Sequence, residues 1–125
     1  MIPYKNSKVM GADGEGLAVE FLKRRGYRIL ERNFRTRLGE IDIIGEDQGV
    51  LCFIEVKTRN GTAYGRPVEA VSFFKQQKLS RMALIYLSRT QRMNQMCRFD
   101  IVGIDMKDSV SPAIELLQNA FDVIH

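Results

Sequence analysis

The stretch Leu38–Arg59, LGEIDIIGEDQGVLCFIEVKTR, decides the fold of this chain. Two short apolar runs, Ile41–Ile44 and Val50–Val56, flank the polar segment Glu46–Gly49. The β-branched residues in both runs and the turn-forming residues between them predict a β-hairpin. Acidic residues interrupt both runs, although strands do not favour them. The stretch therefore predicts a hairpin whose carboxylates serve something other than strand stability.

Alternation of side chains along the two strands places these charged residues. Glu40 and Asp42 share a face of the first strand, and Glu55 and Lys57 share a face of the second. Asp42 can share a face with Glu55 only if it lies opposite Phe53 or Glu55, because a slip of one residue separates the carboxylates. Mg²⁺ binds one or two carboxylates together with water and phosphate oxygens, and a nearby ammonium group can orient water or stabilise phosphate charge. The pattern indicates a metal site, with a solvated sheet face and an incidental ion pair as the alternative.

A third acid lies in the predicted N-terminal helix, which covers residues 11–25. Glu15 projects onto the same side of this helix as Val19 and Leu22. A carboxylate on the buried side is costly unless it is paired or binds a cation; the alternative is an acid favoured by the helix dipole. Glycines cluster in the same helix, at Gly11, Gly14 and Gly16, and predict a close approach to the sheet. Residues 1–10 are predicted to be a loosely held lead-in.

The remaining pattern predicts one α/β domain over residues 1–125, with a mixed five-stranded sheet flanked by helices in the order αβββαββ. The further predicted elements are a strand over 27–34, a helix over 68–89 with Pro67 as its first residue, and strands over 97–105 and 114–118. The apolar side of the second helix includes Val71, Phe74, Leu79, Met82 and Tyr86. Lys75 and Lys78 project onto this side, either to snorkel around the core or to reach the site, and Lys78 is preferred for the second role.

Composition restricts the chemistry. The only histidine is His125, which disfavours histidine-based catalysis and metal binding. Cys52 and Cys97 have no metal-ligand spacing and are predicted to be reduced residues of a cytoplasmic protein. No apolar run approaches the roughly 20 residues needed to cross a bilayer, so no membrane partner is expected. A formal net charge of +4 suits a polyanionic substrate such as nucleic acid.

Several motifs together resemble one family. They include Gly11-x-x-Gly14-Glu15-x-x-Ala18, Gly39-Glu40-Ile41-Asp42, Phe53-Ile54-Glu55-Val56-Lys57-Thr58-Arg59, Glu69-Ala70-Val71 and Arg98-Phe99-Asp100. Over residues 11–121 the chain resembles the YraN family of small bacterial proteins. The resemblance implies a restriction-endonuclease-like fold near that of the archaeal Holliday-junction resolvases. It also implies that Glu15, Asp42 and Glu55 are metal ligands and that Lys57 is the catalytic lysine.

The sequence therefore predicts an endonuclease that uses Mg²⁺ or Mn²⁺ to hydrolyse phosphodiester bonds in DNA, with branched or otherwise structured DNA as a candidate substrate. Glu40 is predicted to be an accessory ligand or to hold a basic partner, and Arg59, Lys75 and Lys78 are predicted to contact substrate. A homodimer is expected if a two-fold junction is cut twice. The alternatives are a nucleic-acid-binding module without catalysis and a scaffold protein whose acids bind a structural ion.

Overall fold

A computed structural model describes residues 7–60, 71–108 and 110–122, with the side chains of the first helix described from Gly14 onward. The elements are α1 (Ser7–Arg24), β1 (Arg28–Thr36), β2 (Gly39–Asp47), β3 (Val50–Arg59), α2 (Phe73–Arg89), β4 (Cys97–Asp105) and β5 (Ala113–Leu117). This order confirms the predicted αβββαββ arrangement. Because α1 begins at Ser7, the prediction of a lead-in over residues 1–10 is wrong for its last four residues, and residues 1–6 lie outside the described part.

The sheet has five strands in the order β1-β2-β3-β4-β5. Only β3 and β4 pair in parallel, and the other neighbours are antiparallel, so the sheet is mixed as predicted. A two-residue turn at Gln48 and Gly49 joins β2 to β3, with φ angles of 51° and 84°. Positive φ at both positions is typical of a type I′ hairpin turn. The turn is shorter than the predicted segment, since Glu46 and Asp47 still belong to β2.

One helix covers each face of the sheet. Cys52 and Ile54 of β3 pack in the cluster that contains the buried residues of α1. Leu51 and Phe53 pack in the cluster that contains the buried residues of α2. This confirms the alternation predicted for the second hairpin strand. Within the described ranges, neither helix is long and apolar enough to cross a membrane.

The start of α2 differs from the prediction. The helix begins at Phe73, and Ser72 is its N-cap, with an extended backbone and a side-chain oxygen that accepts from the backbone N–H of Lys75 at 3.2 Å. A predicted helix over 68–89 is therefore wrong at Val71 and Ser72, while residues 61–70, with Pro67 and the predicted loop, lie outside the described part. Phe74 is 65 % exposed and does not belong to the buried side predicted for it.

The β2–β3 ladder opens at one end. Its pairing runs from Asp47↔Val50 to Ile43↔Ile54, and this register continued by one residue would set Asp42 opposite Glu55. Beyond Ile43 the strands separate, and Ile41 packs on the α2 side although Ile43 packs on the α1 side. On the neighbouring strand β1, Asn33 lies between the two residues that pair with the sequence neighbours of Asp42, and its φ is 57°. The sheet therefore opens at Asp42, where side chains from both of its faces can meet.

Candidate metal centre

Three carboxylates meet where α1 approaches this opening. Carboxylate oxygens of Glu15 on α1 and of Glu40 and Asp42 on β2 all lie within 4.8 Å of one another. We call these three residues the acidic trio. The helix can come this close because position 14 is glycine: a Cβ there would lie 2.7 Å from Oγ1 of Thr58. The predicted close approach of the helix to the sheet is confirmed at Gly14.

The trio is electrostatically unfavourable as it stands. Burial, followed by the charge of Glu55, raises the pKa of Asp42 to about 7, even though its Oδ2 accepts from the backbone N–H of Val56 at 2.8 Å. Burial and the charge of Glu40 raise the pKa of Glu15 above its ordinary value. Carboxylates that are brought together and desolvated favour their neutral forms unless a cation compensates them. The geometry thus concentrates negative charge that the trio cannot neutralise by itself.

Glu55 lies beside the trio but is held differently. Its side chain is buried, and its Oε1 accepts a hydrogen bond from the ammonium group of Lys75. The Lys57 ammonium lies 3.9 Å from the same oxygen. Its Oε2 is buried and has no hydrogen-bond partner within the described residues. The structure therefore groups Glu15 and Asp42 with Glu40, whereas Glu55, the third ligand implied by the resemblance, is paired with lysines.

Glu40 holds a basic partner, one of the two roles predicted for it, while its role as an accessory ligand stays a prediction. It belongs to the trio, and its Oε2 accepts from Nε of Arg35 at 2.8 Å. Asn33, with its amide nitrogen turned toward the acids, donates to Oε1 of Glu40 at 2.7 Å and to Oε1 of Glu15 at 3.2 Å. Sequence reasoning missed Asn33. The one available signal was that asparagine tolerates the left-handed backbone that Asn33 adopts.

The two lysines at Glu55 have opposite pKa shifts. Burial and the charge of Lys75 lower the pKa of Lys57. Burial also acts to lower the pKa of Lys75, but the hydrogen bond and the charge of Glu55, together with smaller contributions from Lys57 and Asp42, raise this pKa overall. Lys75 is thus held in its charged form as the partner of Glu55, and Lys57 loses its proton more readily than an ordinary lysine.

The structure also shows the positions of two further residues that were predicted to contact substrate. Lys78 does not reach the acids; its ammonium lies 4.8 Å from the centroid of the Phe74 ring. Lys75, rather than Lys78, makes the contact with Glu55, so the preference for Lys78 is wrong for reaching the acids and stays a prediction for contact with a substrate phosphate. Arg59 ends β3 and pairs in register with Asp105 of β4, and its carbonyl accepts from the N–H of Met106 at 2.7 Å. These contacts tie Arg59 to the sheet and leave its substrate role a prediction.

An open cavity of about 540 Å³ gives access to these groups. Glu40, Asp42 and Glu55 line it together with Phe74, Lys75 and Lys78 of α2, whereas Glu15 and Lys57 are not among its lining residues. The volume is in the range of sites that bind small ligands. A phosphate group with its flanking sugars could approach the acids and the lysines at the same time.

A second polar cluster lies at the closed, turn end of the same hairpin. Asp100 of β4 is 1 % exposed, and its carboxylate accepts from Nε of Arg98 at 3.0 and 3.2 Å and from the Tyr27 hydroxyl at 2.8 Å. Arg98 also donates to Asp47 at 2.8 Å, and the Asn119 N–H donates to Asp100 at 2.9 Å. We call this the Arg98 network. Sequence reasoning did not find it, although Arg98 and Asp100 stand two residues apart on one strand, where side chains share a face.

Comparison with known proteins places the chain in a family. The model of the uncharacterised protein family UPF0102 matches residues 14–104. The chain belongs to this family. A UPF0102 protein of Symbiobacterium thermophilum is 49 % identical over 115 residues, which are 92 % of this chain and 98 % of the relative. A UPF0102 protein of Trichlorobacter lovleyi is 43 % identical over 122 residues, 97 % of this chain and 96 % of the relative.

UPF0102 membership confirms the resemblance to the YraN family. The matched region runs from Gly14 to Ile104. It therefore includes the acidic trio, Glu55 with its lysines, and the members of the Arg98 network other than Asn119. The names of these relatives give the UPF0102 family alone, so the function has to be argued from the geometry of the site.

Proposed function

We propose that this UPF0102 protein is a nuclease that uses a divalent metal ion to hydrolyse phosphodiester bonds in DNA. The observation that carries the proposal is the acidic trio, with oxygens within 4.8 Å of one another, beside a Glu55 that two lysines approach. Acids alone would suit any cation. A cavity lined by both acids and lysines suits a negatively charged substrate that approaches a bound metal ion.

The residues present fit Mg²⁺ or Mn²⁺. Carboxylate oxygens are the ligands these hard cations prefer. Burial and like charges raise the pKa of Glu15 and Asp42, as expected for ligands without their cation. Glu15, Glu40 and Asp42 would hold the ion, and the unpartnered Oε2 of Glu55 makes that residue a further candidate ligand. A bound ion of this kind polarises a phosphate and lowers the pKa of a bound water.

The chain's own groups support the hydrolysis of a phosphodiester. Lys57, with its lowered pKa, can accept a proton from the attacking water or, when charged, stabilise the charge that develops on the phosphate. Lys75 holds the Glu55 carboxylate in one position. This positioning matters because a displacement of about 1 Å can cost roughly 100-fold in rate.

The charge of the chain supports DNA as the substrate. A net charge of +4 persists although the site gathers several acids, so the surface outside the site is more basic than the total suggests. Exposed basic side chains at the end of α1 and on β1 include Lys23, Arg24, Arg25, Arg28, Arg32 and Arg35. Contacts from lysine and arginine to phosphate fix position without reading bases. We therefore expect recognition of the shape of DNA rather than of a sequence.

A cleavage panel tests this proposal. Labelled duplex, single strand, flap and four-way junction are incubated with Mg²⁺ or Mn²⁺ and the wild type, Lys57→Ala or Lys107→Ala. Lys107→Ala removes the same charge from an exposed residue after β4. We expect metal-dependent cleavage that Lys57→Ala reduces by about 100-fold or more and that Lys107→Ala leaves intact. Binding without cleavage in the wild type would instead identify a non-catalytic binding module.

Metal binding is tested separately by thermal unfolding. A ligand that binds only the folded state raises the melting temperature as its concentration increases. We expect Mg²⁺ or Mn²⁺ to do this for the wild type and to do it much less for Glu15→Gln. Stabilisation by metal together with no binding to any nucleic acid would favour the scaffold. Sedimentation of the wild type with and without a junction tests the proposed homodimer.

A further inference from the structure

Two adjacent aromatic side chains are left in water at the start of α2. Phe73 is 63 % exposed and Phe74 is 65 % exposed. The other five phenylalanines all pack in or against the two core clusters: Phe21, Phe34, Phe53, Phe99 and Phe121. The core of the fold thus accommodates the other phenylalanine rings, whereas Phe73 and Phe74 are exposed to solvent. Exposed apolar groups next to one another commonly mark a binding surface.

Phe74 belongs to the cavity that contains the acids. It lines this cavity together with Glu40, Asp42 and Glu55. The ammonium of Lys78 lies over its ring at 4.8 Å from the centroid, and Lys75 follows it directly in the chain. The ring and the Lys78 ammonium together combine a flat apolar surface with attraction for phosphate. Nucleotides carry both of the matching groups, a base with a π-face and a phosphate.

We infer that Phe74, with Lys78 beside it, is a stacking platform for an unpaired nucleobase next to the phosphate that is cut. This inference rests on the proposed nuclease function and narrows its substrate class. A base inside an intact duplex is already stacked between its neighbours, so only a base that has left the stack can lie on the ring. The preferred substrates are then nucleic acids with unstacked nucleotides at the cleavage position, such as single strands, flaps and junctions.

A second copy of the chain fits this surface less well than a nucleotide. In a symmetric dimer the same patch occurs on both partners, so Lys75 and Lys78 of each copy would lie close to those of the other. Stable interfaces bury about 800 Å² per partner, whereas Phe73 and Phe74 supply only two side chains. Like charges and small area both disfavour self-association here, and both favour a small polyanion.

A tryptophan reporter tests the contact directly. The chain contains no tryptophan, so Phe74→Trp introduces a single fluorophore at the proposed platform. Leu84→Trp is the matched control, since Leu84 is an exposed apolar residue of the same helix that is not among the cavity-lining residues. Both variants are made in a Lys57→Ala background to prevent cleavage. We expect oligothymidine to quench the fluorescence of Phe74→Trp and a blunt duplex to quench it much less, with little quenching in Leu84→Trp.

Affinity measurements complete the test. We expect Phe74→Ala to raise the dissociation constant for oligothymidine by about 5- to 100-fold, Phe74→Tyr to change it little, and neither to affect the blunt duplex. Because Phe74 is exposed, both variants should retain the melting temperature of the parent. Equal losses for single strand and duplex, or absence of quenching, would overturn the inference. So would a dimer that Phe74→Ala dissociates without any change in DNA affinity.

These outcomes are independent of turnover. Quenching and selective loss of affinity support the platform even if the cleavage panel shows no hydrolysis, in which case the nuclease function fails and the stacking contact stands. Cleavage of an uninterrupted duplex as fast as of a single strand, with the same effect of Phe74→Ala on both, overturns the platform while the nuclease function stands.

Discussion

The open end of the β2–β3 hairpin and the Arg98 network, which links Asp47 near the hairpin turn to Asp100 on β4, both contain buried or half-buried acids, but in opposite electrostatic environments. At the turn end, each oxygen of Asp100 accepts two hydrogen bonds, shared among Arg98, Tyr27 and Asn119. At the open end, burial and like charges raise the pKa of Asp42 to about 7. The same fold can thus satisfy a buried carboxylate completely. Burial and like charges at the open end instead disfavour the ionised forms of Glu15 and Asp42, which supports the proposed cation site.

The largest expected effect comes from breaking the satisfied end. Arg98→Met leaves the charge of Asp100, which is 1 % exposed, without its cation. Removing one partner of a buried ion pair typically costs about 3–5 kcal/mol. We expect a loss of this size in the free energy of unfolding measured with urea. Arg28→Met is the control: Arg28 is 69 % exposed in its pair with Glu46, so a loss of about 1 kcal/mol or less is expected.

The open end should respond in the opposite direction. Asp42→Asn removes a charge that its neighbours disfavour, while the amide oxygen can still accept from the Val56 N–H. We expect this variant to gain about 2 kcal/mol in the free energy of unfolding near neutral pH without metal, less than the full pKa shift implies because the group is partly solvated. Destabilisation in that assay would contradict the view that burial and like charges disfavour the ionised form of Asp42.

The contribution of the open end to stability should also depend on pH. The pKa of Asp42 is raised from 3.8 to about 7, so between these values the native state holds a proton that the unfolded chain releases. The free energy of unfolding then contains a contribution from Asp42 that falls as pH rises through this window. Asp42→Asn should abolish that contribution. Urea unfolding of both proteins at several pH values measures the difference, which should be greatest near neutral pH and vanish below the lower value.

A smaller effect is expected from trimming the Arg98 network. Tyr27→Phe removes a hydroxyl that donates to Asp100 at 2.8 Å and accepts from Arg98 at 3.0 Å and from Gln118 at 2.9 Å. Asp100 keeps its other partners, so the loss should be about 1 kcal/mol. Thermal or urea unfolding measures it. A loss as large as that of Arg98→Met would show that the hydroxyl, rather than the guanidinium, holds the network together.

Local rules were sufficient for the framework of the fold. The alternation of apolar residues in β3 predicted which side chains face each helix, and helical projection alone singled out Glu15. The observed hairpin register, if continued by one residue, would set Asp42 opposite Glu55, one of the two registers that the hypothesis required, although the pairing ends at Ile43↔Ile54. These features depend on residues close in sequence, where period and turn chemistry decide the outcome.

Contacts between residues that are distant in the sequence could not be predicted from such local patterns. Projection set both Lys75 and Lys78 on the buried side of α2, and only the distance between the helix and β3 decides which lysine reaches Glu55. The start of that helix was a missed signal, since Ser72 before Phe73 is a good N-cap. The trio contains Glu40 rather than Glu55 at the point where the pairing of β2 with β3 ends, beyond Ile43. No local sequence pattern predicts where such a pairing ends. Asp100 accepts a hydrogen bond from Tyr27, which is 73 residues away in the sequence.

The opening of the hairpin also makes one backbone amide a spectroscopic probe of the site. The Val56 N–H donates to the side-chain carboxylate of Asp42 at 2.8 Å. The chemical shift of this amide in an NMR spectrum depends on whether that carboxylate is charged, protonated or engaged by a cation. This one resonance thus reports the state of the Asp42 carboxylate at the proposed metal site without substrate or mutation.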